Sequence, residues 1–176
     1  MYKWINFRKV RGIENRMSIG GEDLRSAMRH WTTGVAILTS QLNGVRHGMT
    51  VNSFTSVSLF PPRVAVTLAR RTRTFHLVEE SGIFAVTILR EDQAEAAERF
   101  AGRMPEDGDR FAGLEWAEAA SGAPLLAGGL AFLDCKVVHR YDMAEATLLV
   151  GEVLQAQLGD EGRPLVYLER KFHTIG

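Results

Sequence analysis

Short segments rich in apolar and β-branched residues recur along the chain from Gly34 onward, and turn residues separate them. The first segment, 35–39, leads to Asn43-Gly44, a strong signal for a tight β-hairpin turn. Further strand segments are predicted at 45–51, 54–59, 64–68, 83–89, 130–139, 147–158 and 165–171. Seven or eight strands with short links predict a largely antiparallel barrel, because parallel strands need long, usually helical, crossovers.

A few short helices are predicted between these strands. Over 22–31, apolar residues repeat at helical spacing on one face. A second helix is expected over 75–80, closed near Gly82. A third is expected over 93–100, with Asp92 as its N-cap. The fold class is therefore mainly β (α+β), an antiparallel barrel flanked by a few short helices.

The length and charge of the chain limit its organisation. A chain of 176 residues suits one domain and is too short for two of ordinary size. Residues 1–21 are polar and basic, and we interpret them as a flexible N-terminal extension ahead of a domain over 22–176. The 21 basic and 21 acidic side chains balance, which argues against nucleic acid as a partner. No segment has the pattern of a membrane span or a secretory signal, so we expect a cytoplasmic protein.

Cysteine and histidine carry no catalytic or metal-binding pattern in this sequence. Cys135 lies in an apolar strand, which predicts a buried and inert thiol. A single cysteine allows no intrachain disulfide, and this fits a reducing compartment. The five histidines show no metal-ligand spacing, so no metal site is expected. Neither a nucleophile elbow nor a glycine-rich dinucleotide fingerprint is present.

Small hydroxyl and amide residues are concentrated in two adjoining strands between His47 and Ser58. Such short side chains let a flat ligand approach the backbone, and they can form hydrogen bonds to its edge. The residues that can do so are Thr50, Asn52, Ser53, Ser56 and Ser58. An isoalloxazine ring needs this combination, while the alternative is a Ser/Thr-rich strand with one solvated face.

A basic run from Arg70 to Thr74 ends where the second predicted helix begins. Free backbone N–H groups and the helix dipole favour a phosphate at such a position. Arginine side chains suit a bidentate contact with the same group. The run therefore indicates an anion site, and the alternative is a solvated turn whose arginines bind nothing specific.

The sequence His-Gly-Met-Thr-Val-Asn-Ser-Phe-Thr-Ser-Val-Ser-Leu at 47–59, followed by Pro61-Pro62, resembles the flavin reductase family of two-component flavin-dependent monooxygenases. Other segments share the resemblance: Thr33-Gly34-Val35, Glu98-Arg99-Phe100-Ala101-Gly102, Asp109-Arg110-Phe111, Gly151-Glu152-Val153 and Pro164-Leu165-Val166-Tyr167. The resemblance extends from about Leu24 to Phe172. It implies an FMN-binding split β-barrel that works as a homodimer with the flavin at the interface.

The resemblance also implies a cofactor site. FMN, or FAD in some members, would contact residues at the matching positions: Thr33, Met49, Thr50, Val51, Asn52, Ser53, Ser56, Val57, Ser58, Thr72, Arg73, Thr74, Phe100 and Ala101. Of these, 72–74 would hold the phosphate. NADH or NADPH would be the co-substrate, and hydride transfer from nicotinamide to flavin N5 would supply reduced flavin to a partner monooxygenase.

One position departs from the family pattern. Many members carry Gly-Asp-His before the strand that ends in Gly-Glu-Val, and that histidine lies near the nicotinamide. Here the triplet is Ala144-Glu145-Ala146, so the catalytic residue is open among four candidates: His139, Tyr141, Arg170 and His173. Two alternative functions follow. One is a flavoprotein that keeps its FMN and reduces a corrinoid, ferric chelate or quinone, and the other is a flavin-binding electron carrier or sensor without NADH oxidation.

Overall fold

The computed structural model describes residues 20–103 and 108–175, which fall into two compact units divided after Trp31. The first unit contains helix α1 (Gly21–Met28), which has no buried side chain. The helix predicted over 22–31 is confirmed, with an earlier end. The predicted extension over 1–21 lies outside the described residues except for Gly20 and Gly21.

The second unit is built mainly from strands. These are β1 (Thr33–Gly34), β2 (Ala36–Leu42), β3 (Val45–Val51), β4 (Thr55–Leu59), β5 (Pro62–Ala69), β6 (Ile83–Ile88), β7 (Trp116–Glu118), β8 (Pro124–Leu126), β9 (Ala131–Met143), β10 (Ala146–Leu158), β11 (Leu165–Leu168) and β12 (Lys171–Thr174). The helices are α2 (Arg73–Ser81) and α3 (Ala94–Glu98). A 3₁₀ turn, Glu91–Gln93, precedes α3, and a π-type turn, Arg99–Arg103, follows it.

Seven strands form one antiparallel sheet in the order β3-β2-β6-β9-β10-β5-β4. The two outer strands, β3 and β4, are consecutive in the sequence, so the sheet must curl until its ends come close. Within the described residues β3 pairs with β2 and β4 pairs with β5, but no ladder joins β3 to β4. The barrel is therefore open between these strands, and the predicted antiparallel split barrel is confirmed.

Two apolar clusters form the core of this unit. One contains Leu38, Val66 and Phe84, and the other contains Ile37 and Phe100. Neighbouring residues of β2 enter different clusters because side chains alternate across a strand. Strand β2 is therefore buried on both faces, and the second cluster attaches α3 and the turn after it to the barrel.

Two local predictions are wrong. Asp92 does not cap a helix: the 3₁₀ turn begins after Arg90, whose guanidinium binds the Asp92 carboxylate at 2.8 Å. The segment predicted as one strand over 165–171 is a hairpin. Glu169 and Arg170 have φ angles of 49° and 64°, and this two-residue turn separates β11 from β12.

Cys135 has the environment that its sequence context predicted. The side chain is fully buried in β9, and burial together with the charge of Asp134 raises the pKa of the thiol to about 12. A thiol of this kind stays protonated and unreactive at neutral pH.

Among the described residues, no helix combines the length and the apolar character that a membrane span requires.

Candidate functional site

Two cavities lie along β3, one toward each end of the strand. The first, here called the ring cavity, measures about 180 Å³, and its lining includes Thr50, Asn52, Ala101 and Tyr167. The second, here called the basic cavity, measures about 300 Å³ and is lined by residues that include Arg46, His47, Arg73 and Arg110. Thr50 and Asn52 of the hydroxyl-rich segment therefore line the ring cavity, and Arg73 of the basic run lines the basic cavity.

Gly48 lies on β3 between the two cavities. A Cβ atom at this position would lie 2.9 Å from Phe100 Cε1 and 3.0 Å from Thr39 Cγ2, so only glycine admits the phenyl ring there. Phe100 is fully buried and packs edge to face with Phe111 at 5.1 Å between centroids. This packing fixes the turn after α3, which supplies Ala101 to the ring cavity.

Arg110 ties the same turn to β3 through its guanidinium. Its Nη1 atom donates to the carbonyl oxygen of Gly48 at 2.9 Å and to that of Phe100 at 3.0 Å. Arg110 is only 7% exposed, so these bonds form in a largely dry environment. Thr50 also connects β3 to α3, because its hydroxyl donates to the carbonyl oxygen of Ala97 at 2.6 Å.

The β11–β12 hairpin supplies an aromatic wall to the ring cavity. The rings of Tyr167 and Phe172 both line it, with their centroids 5.5 Å apart. Thr33 pairs with Tyr167 in the β1–β11 ladder, so it supports this wall through the backbone. The cavity therefore combines aromatic surface with the polar edge of Thr50 and Asn52, as a flat heterocycle requires.

The start of α2 is arranged to receive an anion. Thr72 is its N-cap: its side-chain oxygen accepts from the N–H of Phe75 at 3.3 Å, and its hydroxyl donates to Ala69 O at 2.8 Å. The N–H groups of Arg73 and Thr74 have no acceptor within the helix, because the first turn of a helix provides none. Together with the helix dipole they favour a phosphate at this point.

His47 is buried beside this helix terminus. Its Nδ1 lies 2.8 Å from the hydroxyl oxygen of Thr74, and the residue is 6% exposed. Burial, and then the positive charges of Arg110 and Arg73, lower the pKa of His47 to about 4. The imidazole is therefore neutral at pH 7. Thr74 as a whole residue, backbone included, is fully buried, so the exposed residue Arg73 is the one at this terminus that can contact a phosphate.

The structure brings only part of the predicted flavin set together. Four members line the ring cavity: Thr50, Val51, Asn52 and Ala101. Met49 lies nearby, with its sulfur 3.9 Å from the Thr72 hydroxyl. Ser53 instead bonds to β5, donating to Thr67 O at 2.9 Å. The remaining hydroxyl-rich segment, Ser56, Val57 and Ser58, lies on the outer strand β4.

The four candidates for the catalytic position fall into two separate groups. His139 and Tyr141 lie on β9 with ring centroids 6.2 Å apart. Arg170 is in the β11–β12 turn, and His173 Nε2 lies 3.2 Å from Leu168 O. None of the four is among the described residues that line the ring cavity or the basic cavity.

Sequence reasoning missed most of the residues that line the two cavities. Five of those missed are Arg46, His47, Arg110, Tyr167 and Phe172. Arg110 reaches Gly48 across 62 positions of the sequence, and no local pattern carries that contact. The only signal available was that three of the five fall within segments of the family resemblance.

Comparison with known proteins agrees with this fold. The family model described as "Flavin reductase like domain" matches residues 28–176. Actinorhodin polyketide dimerase from Streptomyces coelicolor is 41% identical over 153 residues, which cover 86% of this chain and 85% of the relative. An NADH-dependent flavin reductase from a Rhodococcus species is 38% identical over 156 residues, covering 86% and 85% of the two chains. The chain belongs to the flavin reductase-like family.

Among solved structures, the flavin reductase component of a bacterial two-component tryptophan halogenase is similar to this chain. It is 35% identical, and the match covers 89% of this chain and 98% of that one. The TM-score is 0.82, so the barrel and its connections correspond over nearly the whole of both chains.

Proposed function

We propose that this chain is an NAD(P)H-dependent flavin reductase that supplies reduced flavin to a partner monooxygenase. One observation carries the proposal. Along β3 the chain offers an aromatic-walled cavity with polar edges and, toward the other end of the strand, a basic cavity lined by Arg73 at the start of α2. A flavin nucleotide needs both, a flat pocket and a phosphate site, in one place.

The described residues fit FMN or FAD as the bound cofactor. Thr50 and Asn52 would bind the polar edge of the ring, and Tyr167 would contact its face. Arg73 and the first N–H groups of α2 would bind the phosphate. The rest of the proposed set is Thr33, Met49, Val51, Ser53, Ser56, Val57, Ser58, Thr72, Thr74, Phe100 and Ala101.

When bound, the flavin supplies the redox chemistry, accepting a hydride at N5 from the nicotinamide. The chain's own residues bind and orient. The Thr50 hydroxyl donates to Ala97 O, and this bond fixes the orientation of the side chain. Its oxygen is then an acceptor with a defined direction. Arg73 balances the charge of the phosphate. Positioning of this kind lowers the barrier without a side-chain acid or base.

We also propose a cytoplasmic homodimer with the flavin at its interface. Strand β4 is an outer strand of the sheet, and it exposes Val57 and Leu59, while Phe60 beside it is 95% exposed. An outer strand with exposed apolar side chains favours pairing with another chain. A second copy at this edge would also cover Ser56 and Ser58, which the proposed flavin site includes.

Anaerobic stopped-flow absorbance of the flavin band at about 450 nm tests the function, since the cofactor sets this wavelength. We expect rapid bleaching when NADH or NADPH is mixed with excess FMN and substoichiometric protein. Flavin that binds and stays yellow with both nicotinamides would refute the reductase and favour an electron carrier or sensor. If only one equivalent of flavin per protein bleaches and that flavin does not dissociate, the result would favour a flavoprotein that keeps its FMN and reduces another acceptor.

Two arginines separated by one residue, Arg71 and Arg73, provide a matched pair of variants for the phosphate contact. Arg73 lines the basic cavity, whereas Arg71 is exposed and lines neither cavity. Arg73→Gln should raise the KM for FMN about tenfold, the scale of one charge-assisted hydrogen bond. Arg71→Gln should change it less than about twofold. Equal effects of the two variants would contradict a specific phosphate contact at Arg73.

A further inference from the structure

Two of the described residues that line the ring cavity carry a charge, Glu98 and Arg103. Glu98 is the last residue of α3, and Arg103 is the last residue of the π-type turn that follows it. Their side chains form an ion pair, with Glu98 Oε2 at 2.6 Å from Arg103 Nη1. The other described lining residues are apolar, aromatic or uncharged polar. The proposed flavin site therefore contains one charge of each sign.

These two charges are sheltered from water to different extents. The side chain of Glu98 is 38% exposed, and that of Arg103 is 67% exposed. Glu98 Oε2 itself is buried, and although it lies close to the guanidinium, the pair is not aligned as a hydrogen bond. Water screens an exposed charge more strongly than a sheltered one. Arg103 therefore compensates the carboxylate of Glu98 only in part.

The backbone that carries Glu98 is fixed on both sides. The preceding residue, Ala97, is fully buried, and its carbonyl oxygen accepts from the Thr50 hydroxyl at 2.6 Å. Two positions further along, the fully buried ring of Phe100 packs over Gly48. These contacts hold the end of α3 against β3. A partly buried carboxylate on such a backbone keeps a nearly constant distance from a ligand in the ring cavity.

We propose that Glu98 weakens the binding of reduced flavin relative to oxidised flavin and so promotes release of the product. The oxidised ring is neutral. A hydride from the nicotinamide brings one proton and two electrons to N5, so the reduced ring carries one negative charge and the nicotinamide is left oxidised. A carboxylate in the same cavity repels that charge and has little effect on the neutral ring. This inference rests on the proposed function, in which reduced flavin leaves for a partner.

Anaerobic titrations of the full chain with oxidised and with dithionite-reduced FMN test this directly. The measured quantity is the ratio of the two Kd values, reduced over oxidised. We expect Glu98→Gln to lower this ratio about tenfold, which corresponds to about 1.4 kcal/mol. The two-electron potential of bound FMN, measured by spectroelectrochemistry, should then rise by about 30 mV. Glu98→Asp keeps the charge, so its ratio should stay within about threefold of the wild-type ratio.

Two further variants separate the effect of charge from that of packing. Arg103→Gln removes the compensating cation, so it should raise the ratio, by about threefold because this side chain is largely exposed. Glu95→Gln is the matched control: Glu95 is also on α3 and paired with an arginine, Arg99, but it is 91% exposed and outside the described lining of the ring cavity. It should change the ratio less than about twofold. Shifts of the same sign in Glu98→Gln and Arg103→Gln would overturn the inference, since opposite charges must act in opposite directions.

The outcomes also separate this inference from the proposed function. A ratio that Glu98→Gln leaves unchanged, in a chain that still binds FMN and reduces it with NADH, would overturn the inference and leave the reductase intact. A wild-type chain that binds neither form of FMN would refute the proposed function and this inference with it. Thermal unfolding of each variant shows whether the fold is retained. Because Glu98 and Arg103 are both partly exposed, either variant alone reports the sign of the effect.

Discussion

Acid should destabilise this protein through His47. The folded-state pKa of about 4 is lower than the ordinary value of 6.5, so the unfolded chain binds more protons between these pH values. The free energy of unfolding must then fall as the pH decreases through this window, and His47 makes no further contribution above it. Between pH 7 and about 4.5, a shift from 6.5 to about 4 corresponds to a loss of about 2 kcal/mol.

Urea denaturation of the wild type and His47→Gln at several pH values isolates this effect. Glutamine does not ionise, and its amide can still bond to the Thr74 hydroxyl. We expect the stability difference between the two proteins to shift by about 2 kcal/mol toward the variant as the pH falls from 7 to about 4.5. His76→Gln, which removes an exposed imidazole from α2, controls for the loss of a histidine elsewhere. Parallel pH profiles for the wild type and His47→Gln would refute the reasoning.

Three further predictions concern packing, reactivity and backbone strain. Gly48→Ala should cost about 1–3 kcal/mol of stability because its methyl group would collide with Phe100, whereas Gly34→Ala, which meets no atom within 4 Å, should cost less in the same thermal melts. Cys135 should resist a thiol reagent at pH 8 in the native protein and react once urea unfolds it, and equal rates would contradict its burial. Arg170→Gly should raise stability by about 0.5 kcal/mol, because glycine adopts the positive φ of this turn with little strain. A loss of NADH oxidation in that variant, with stability retained, would identify Arg170 as a nicotinamide contact.

Most strands were predictable because their signals are local. The turn Asn43-Gly44 and alternating or β-branched runs define β2, β3, β5 and β6 within one or two residues at most ends. The turn at Glu169 and Arg170 was not predictable, because neither residue type favours a positive φ. Hairpin β7–β8 was missed because three-residue strands carry too little pattern.

The candidate site was predictable only where residues are consecutive. Thr50, Val51 and Asn52 share one strand, so they reach the ring cavity together. By contrast, Arg46 and Arg110 both line the basic cavity because the Arg110 guanidinium binds Gly48 O of β3. That meeting depends on Phe100 packing over Gly48, a contact between distant segments that composition and periodicity do not encode.

The guanidinium of Arg110 has a kinetic consequence. Because it holds Gly48 O and Phe100 O at 2.9 and 3.0 Å, the strand and the turn beside the ring cavity are in position before any ligand arrives. A site of this kind avoids the entropy loss that ordering a loop around the ligand would require. Ligand exit then needs no hinge motion of these two segments. Neither of these two segments therefore adds a lid-opening step on the microsecond-to-millisecond scale to product release.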